Sequence, residues 1–145
     1  MLEDSFNRVY NRFKHFSYER LFASVREDEG ALSTMDCFAL EVIHLLNKPT
    51  VSQFADFLGV SQSNATYKIN SLQSKGYVIR ENSVIDRREF HLVTTDKYHR
   101  YMSSTHAYQR GLIDYLKANV DRAELQAFEK VMNIIDAKLA EDGKK

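Results

Sequence analysis

Apolar residues recur at three- and four-residue steps from Leu2 to about Val25, through Phe6, Val9, Tyr10, Phe13, Phe16 and Leu21. This is the stripe of an amphipathic helix. The charged stretch Arg26-Glu27-Asp28-Glu29-Gly30 then predicts a loop. Met35, Phe38, Ala39, Val42, Ile43, Leu45 and Leu46 restore a helical apolar face, which Asn47-Lys48-Pro49 stops. Thr50 with Gln53 three residues on reads as a capping box. It opens a short helix carrying Phe54, Ala55, Phe57 and Leu58, and Gly59 closes it. Ser61 is a fresh N-cap, Ala65, Ile69 and Leu72 share one side of the helix that follows, and Lys75-Gly76 ends it. Helix, tight glycine turn, helix is the order of a helix-turn-helix.

Beyond Gly76 the period shortens. Tyr77-Val78-Ile79-Arg80 and Glu89-Phe90-His91-Leu92-Val93 are rich in β-branched and aromatic residues, with Asn82-Ser83 and Asp86-Arg87-Arg88 between them. A β-hairpin with a basic tip is expected there. Thr95-Asp96-Lys97 starts what reads as one long helix, with Tyr98, Tyr101, Met102, Tyr108, Leu112, Ile113 and Leu116 as its apolar or aromatic members. Asp121 and Glu124 cap a last helix, whose Leu125, Phe128, Val131, Met132, Ile135 and Leu139 form a near-heptad stripe. The fold class expected is mainly α with a small β-hairpin wing (α+β). It is a winged helix-turn-helix over 33–95 in a single 1–145 chain, with dimerisation helices over 1–25 and 96–141. The terminal stripes are most economically buried against the same helices of a second chain around a two-fold axis.

Composition changes this picture little. A chain of 145 residues with 43% apolar and 28% charged residues, one proline and five glycines is long enough for one ordinary core and mostly regular structure. Charged Glu3-Asp4 follows Met1-Leu2, and no apolar run approaches secretory or membrane-spanning length, so a cytoplasmic protein with no membrane partner is expected. The single cysteine, Cys37, has no internal disulfide partner. Net charge is zero, but its distribution is uneven. Residues 1–50 carry 6 basic and 8 acidic side chains, residues 51–100 carry 7 and 5, and residues 101–145 carry 7 and 7. The positive middle permits phosphate binding without demonstrating it.

The chemistry sits in that middle third. At 100° per residue, Ser63, Thr66, Tyr67, Asn70 and Ser74 project from the side of the second helix-turn-helix helix opposite Ala65, Ile69 and Leu72. Gln62, Ser63, Thr66 and Tyr67 are residue types able to read base edges in a major groove, and Lys68 can hold a phosphate. No acidic residue occurs from Ser61 to Arg80, unlike an ordinary solvated helix face. At the hairpin tip, Arg87 and Arg88 are placed to reach a minor groove, with Asp86 able to orient one guanidinium.

Val60-Ser61-Gln62-Ser63-Asn64-Ala65-Thr66, Leu72-Gln73-Ser74-Lys75-Gly76-Tyr77-Val78 and Asp86-Arg87-Arg88, with Thr95-Asp96-Lys97 nine residues beyond Asp86, resemble the MarR family of bacterial regulators over nearly the whole chain. The resemblance implies a triangular dimer of six helices and a wing, with the helix Ser61 to Lys75 in the major groove. It implies Arg88 in the minor groove, oriented by Asp86, and a DNA-facing set of Ser61, Gln62, Ser63, Asn64, Thr66, Tyr67, Lys68, Asn70, Asp86, Arg87 and Arg88. The function implied is a homodimeric repressor on a pseudo-palindromic promoter site of double-stranded DNA. A small anion, phenolic compound, metal or oxidant would release it. The chain departs from the commonest pattern at Tyr98, where glycine often stands, and at Thr94, where leucine is usual. Cys37 lies in the second helix and does not match the first-helix cysteine of the peroxide-sensing branch, so redox sensing is not expected.

Weaker constellations also stand in the sequence. Cys37, Glu41 and His44 fall at i, i+4 and i+7 and are zinc-ligand types, with His15 or His106 as a fourth; an uncommitted semi-polar helix face is the better reading of them. Phe13, Phe16, Tyr18 and Phe22 with Phe38 form an aromatic set suited to an effector pocket, although such a stripe is more often dimer core. His91 on the wing strand reads as a phosphate neighbour or plain surface. No cofactor is evident, and no glycine-rich phosphate loop, HExxH or GxSxG argues for an enzyme. A winged-helix module for protein partners is the other rival. Neutral charge favours that rival and the basic wing tip opposes it.

Overall fold

The computed structural model describes residues 1–27 and 32–143, with 24–27 as backbone only. Most of the loop expected over 26–30 therefore lies outside the described residues. Helices α1 (Leu2–Glu27), α2 (Thr34–Leu45), α3 (Val51–Leu58) and α4 (Gln62–Ser74) lead into strands β1 (Val78–Asn82) and β2 (Phe90–Thr94). Helices α5 (Asp96–Tyr101), α6 (Ser103–Asn119) and α7 (Arg122–Asp142) follow. The chain divides into two compact units, 1–103 and 104–145.

In the first unit the predicted caps form. Thr50 accepts from the Gln53 N–H at 3.1 Å while Gln53 accepts from the Thr50 N–H at 2.9 Å. Ser61 accepts from the Asn64 N–H at 3.2 Å. Gly59 and Gly76 end α3 and α4 at φ 65° and 83°, in the left-handed region that glycine enters without a Cβ clash. A capping box that the sequence reading passed over joins Ser33 and Asp36 at the start of α2.

The α2–α3 corner is tighter than a simple proline stop. Asn47 and Lys48 both take positive φ, 50° and 61°, and Pro49 disfavours a helical conformation at the residue before it. This corner is pinned to the hairpin, since the Leu92 N–H donates to the Pro49 carbonyl at 2.8 Å and His91 Nδ1 meets the Lys48 carbonyl at 2.8 Å. His91 is thus an anchor between hairpin and helix-turn-helix.

The hairpin is antiparallel, in register from Val78 opposite Thr94 to Asn82 opposite Phe90. Its inward residues, Val78 and Leu92, join Leu40, Ile43, Phe54, Ala65, Ile69, Leu72 and Tyr98 in one buried cluster. Burial of these side chains from α2, α3, α4, the hairpin and α5 supplies the cohesion, at about 25 cal/mol per Å² of apolar surface.

The long helix expected after Thr95 is broken. It stops at Tyr101, and Met102 turns the chain before α6 begins at Ser103. Tyr101 and Met102 are partly buried against the first unit's core, and Ser103-Ser104, whose hydroxyls compete for backbone bonds, follow at once. In the second unit the Asp121–Glu124 capping box forms as expected, with the Glu124 N–H donating to Asp121 at 2.8 Å. No side chain of α7 is fully buried, and Phe128, Val131, Met132, Ile134 and Leu139 all stay exposed.

Candidate nucleic-acid interface

Helix α4 is seated by Ala65, Ile69 and Leu72, all buried, and this fixes which way its other side faces. Gln62, Ser63, Asn64, Tyr67 and Asn70 are exposed, Thr66 is half-buried, and Tyr67 keeps 78% of its surface. Ser61 faces solvent too, but its hydroxyl is committed to the N-cap. The exposed face begins at the helix N-terminus, where unpaired N–H groups favour an anion.

Lys68, expected to face a ligand, has a partner within the chain, which it shares with Lys75. Lys68 Nζ bonds Asp36 Oδ1 at 3.1 Å, and Lys75 Nζ bonds Asp36 Oδ2 at 2.8 Å. Asp36 is buried, so both ends of α4's lysine pair are tied to the start of α2 through one carboxylate. Burial opposes the charge on Asp36. Hydrogen bonds from Lys75, the Ser33 N–H and Lys68, with the attraction of Lys68, outweigh it and hold the carboxyl at about 2. Lys68 therefore positions the helix through Asp36. Asn70 Oδ1 accepts from Arg80 Nη2 at 3.0 Å, which links the same helix to β1. The sequence reading missed Asp36 and Arg80. Ser33-x-x-Asp36 carried a legible cap signal, whereas the long-range pairings carried none.

The helix's far end is held from below. Thr95 makes no side-chain cap to α5; its hydroxyl donates to the Gly76 carbonyl at 2.7 Å. Lys97 Nζ donates to the Lys75 carbonyl at 2.7 Å and lies 4.4 Å above the Tyr77 ring. The Thr-Asp-Lys segment thus braces the turn that delivers the chain from α4 into the wing.

At the wing tip Arg87 and Arg88 are exposed. Asp86 Oδ1 accepts from the backbone N–H of Arg88 at 2.9 Å, so it shapes the loop beneath the arginine and does not grip the guanidinium as expected. The tip closes through the Glu89 N–H to the Asp86 carbonyl at 3.0 Å and the Ser83 N–H to the Glu89 carbonyl at 2.9 Å.

The zinc-ligand types on α2 do not converge. Cys37 is buried and its Sγ accepts from the Tyr101 hydroxyl at 3.1 Å. Exposed His44 lies beside the rings of Tyr98 and His99, with centroids 5.3 and 5.9 Å away. Burial raises the Glu41 carboxyl, and burial with the nearby Glu41 charge raises the Tyr98 phenol. Among the described residues no group of three or more His, Cys, Asp or Glu is placed to hold a metal. Of the proposed effector phenylalanines, Phe13, Phe22 and Phe38 are exposed and Phe16 is half-buried. A cavity of about 210 Å³ opens elsewhere, lined by Ile43, His44, Asn47, Leu92, Thr94 and His99 among others.

Residues 33–90 match the family model described as MarR family. The chain is 26% identical over 106 residues to the HTH-type transcriptional regulator YkoM of Bacillus subtilis, covering 69% of this chain and 68% of that one. Among solved structures it is similar in fold to FabT of Streptococcus pneumoniae, crystallised in complex with DNA, at 21% identity and a TM-score of 0.53 over 94% of this chain and 98% of that one. It is likewise similar to a mutant of MepR from a multidrug-resistant clinical isolate of Staphylococcus aureus, at 11% identity and a TM-score of 0.62 over 92% and 96% of the two chains.

Proposed function

We propose that this chain, whose residues 33–90 match the MarR family model, is a transcriptional regulator that binds double-stranded DNA sequence-specifically as a homodimeric repressor modulated by a small effector. One observation carries the reading. The outer face of α4 exposes Gln62, Ser63, Tyr67 and Asn70 with no carboxylate between Ser61 and Arg80, and the wing beside it ends in exposed Arg87 and Arg88. That combination suits a groove lined by phosphates better than it suits water.

Each part has a role. Gln62, Ser63, Thr66 and Tyr67 read base edges in the major groove, where Gln is able to pair bidentately with adenine and Tyr to pack on a thymine methyl. Asn64 and Ser61 stand at the helix N-terminus beside the phosphates. Lys68, with Lys75, Asp36 and the Asn70–Arg80 pair, sets the angle of α4. Arg87 and Arg88 enter the adjacent minor groove, which attracts guanidinium where it is narrow. The two recognition helices of a dimer sit roughly 34 Å apart, one turn of DNA, on a pseudo-palindromic site. The exposed apolar stripes of α1 and α7 support a second copy as the partner that covers them.

The test is selection of bound fragments from the source genome by the purified chain, followed by electrophoretic shifts. Enrichment of a pseudo-palindrome is expected, with Arg88→Ala weakening binding by about 1–3 kcal/mol and flattening its salt dependence by about one unit of slope for each protomer of the dimer. No enrichment of any fragment would sink the reading. An unaltered shift with Arg88→Ala would remove the wing from it.

A further inference from the structure

Val84 and Ile85 stand side by side at the wing tip with 101% and 98% of their surface in solvent. Among the described residues, only the chain's first residue matches this openness in a large apolar side chain. The tip that holds them is built. Ser83 Oγ accepts from the Ile85 N–H at 3.2 Å and from the Asp86 N–H at 3.3 Å. Asp86 then accepts from the Arg88 N–H, and the Ser83 N–H closes the loop on the Glu89 carbonyl. The tip's own turn bonds thus satisfy these backbone groups, and the two aliphatic side chains are left pointing at nothing of their own chain.

Charge next to the pair says what covers it. Arg87 and Arg88 follow within three residues, and the exposed Asp86 between them and the pair commits one carboxylate oxygen to the Arg88 N–H. A surface that offers two adjacent aliphatics flanked by two guanidiniums complements a cleft with apolar walls under a strongly negative potential. The minor groove has sugar walls of that kind, and proteins that enter it commonly pair cations with aliphatic wedges. We propose that Val84 and Ile85 form an apolar wedge that seats in the DNA minor groove beside Arg87 and Arg88. The wing is then bound by two different forces, one electrostatic and one hydrophobic. This rests on the reading that the wing contacts DNA.

The two forces separate by salt. Counterion release makes arginine contacts salt-dependent, whereas removing aliphatic surface from water is nearly indifferent to ionic strength at ordinary concentrations. The full-length chain carrying Val84→Ser with Ile85→Ser is titrated by fluorescence anisotropy, at several salt concentrations, against the genomic fragment that the unaltered chain retains most strongly. Binding about tenfold weaker is expected, with the slope of log affinity against log salt unchanged. Arg88→Ala, measured in parallel, should lower that slope by about two, one for each protomer of the dimer. Both side chains being fully exposed, the double variant should unfold at the same temperature as the parent.

Unchanged affinity in the double variant would overturn the wedge while leaving the DNA reading intact. A reduced salt slope would overturn it too, because the pair would then act only by placing the arginines. If the unaltered chain retains no fragment, the DNA reading itself fails and the wedge falls with it.

Discussion

Leu40, Ile69, Leu72 and Leu92 in the first unit lose all contact with solvent, whereas Phe128, Val131 and Leu139 of α7 keep 49%, 51% and 63% of their surface. Both sets are spaced as regularly as an apolar face requires. The first set comes from α2, α4 and β2, elements with different periods that close on one another, so each stripe finds its cover within the same chain. The second lies on a single long helix whose unit, 104–145, has too few elements to enclose it. Periodicity therefore reports that a face must be buried, and the number of neighbouring elements decides where the cover comes from.

The comparison breaks most visibly at Ile69. Ile69→Ala should cost about 3–4 kcal/mol, independent of protein concentration, because the cavity lies within one chain; denaturant unfolding at two concentrations measures it. A loss below about 1 kcal/mol would mean that the first unit is loosely packed. Next in size, Phe128→Glu with Leu139→Glu should weaken self-association by roughly 3 kcal/mol, more than a hundredfold, while leaving the first unit's unfolding unchanged. Light scattering across a dilution series reads this. A parent chain that is already monomeric at micromolar concentration would reassign the α7 stripe.

Asp36 sharpens the contrast at a smaller scale, since it ties α4 to α2 by charge where Ile69 does so by packing. Asp36→Asn removes the charge between Lys68 and Lys75 and should cost about 2 kcal/mol. Acid should do the same to the parent. Held at about 2, below the ordinary 3.8, the carboxyl binds fewer protons folded than unfolded. Its contribution is thus complete above about pH 4 and disappears as pH falls from there toward 2. Thermal scans across that window should show the parent losing this increment and Asp36→Asn lacking it. Parallel pH curves for the two proteins would show that Asp36 does not hold the helix.

Much of the candidate interface was legible because it is local. Thr50 with Gln53, Ser61 ahead of Ala65, and glycine at 59 and 76 each specify a terminus through groups three or four residues apart, so the helix-turn-helix order could be read directly. The outward face of α4 followed from where Ala65, Ile69 and Leu72 had to go. Other features hid from the pattern. Asp86 was expected to orient a guanidinium and instead bonds a backbone N–H, a choice set by the loop's geometry. The break at Met102 has neither glycine nor proline to announce it.

The sequence by itself determined the elements, their caps and the polar identity of α4 and the wing tip, since neighbours along the chain settle these. Tertiary structure alone decided that Asp36 meets Lys68 and Lys75 across 32 and 39 residues, that Arg80 holds Asn70, and that Val84 and Ile85 end up uncovered. The reason is physical. A cap or an apolar period is satisfied within one turn of helix, while a long-range ion pair or an uncovered apolar pair depends on where distant elements come to rest after the core has closed.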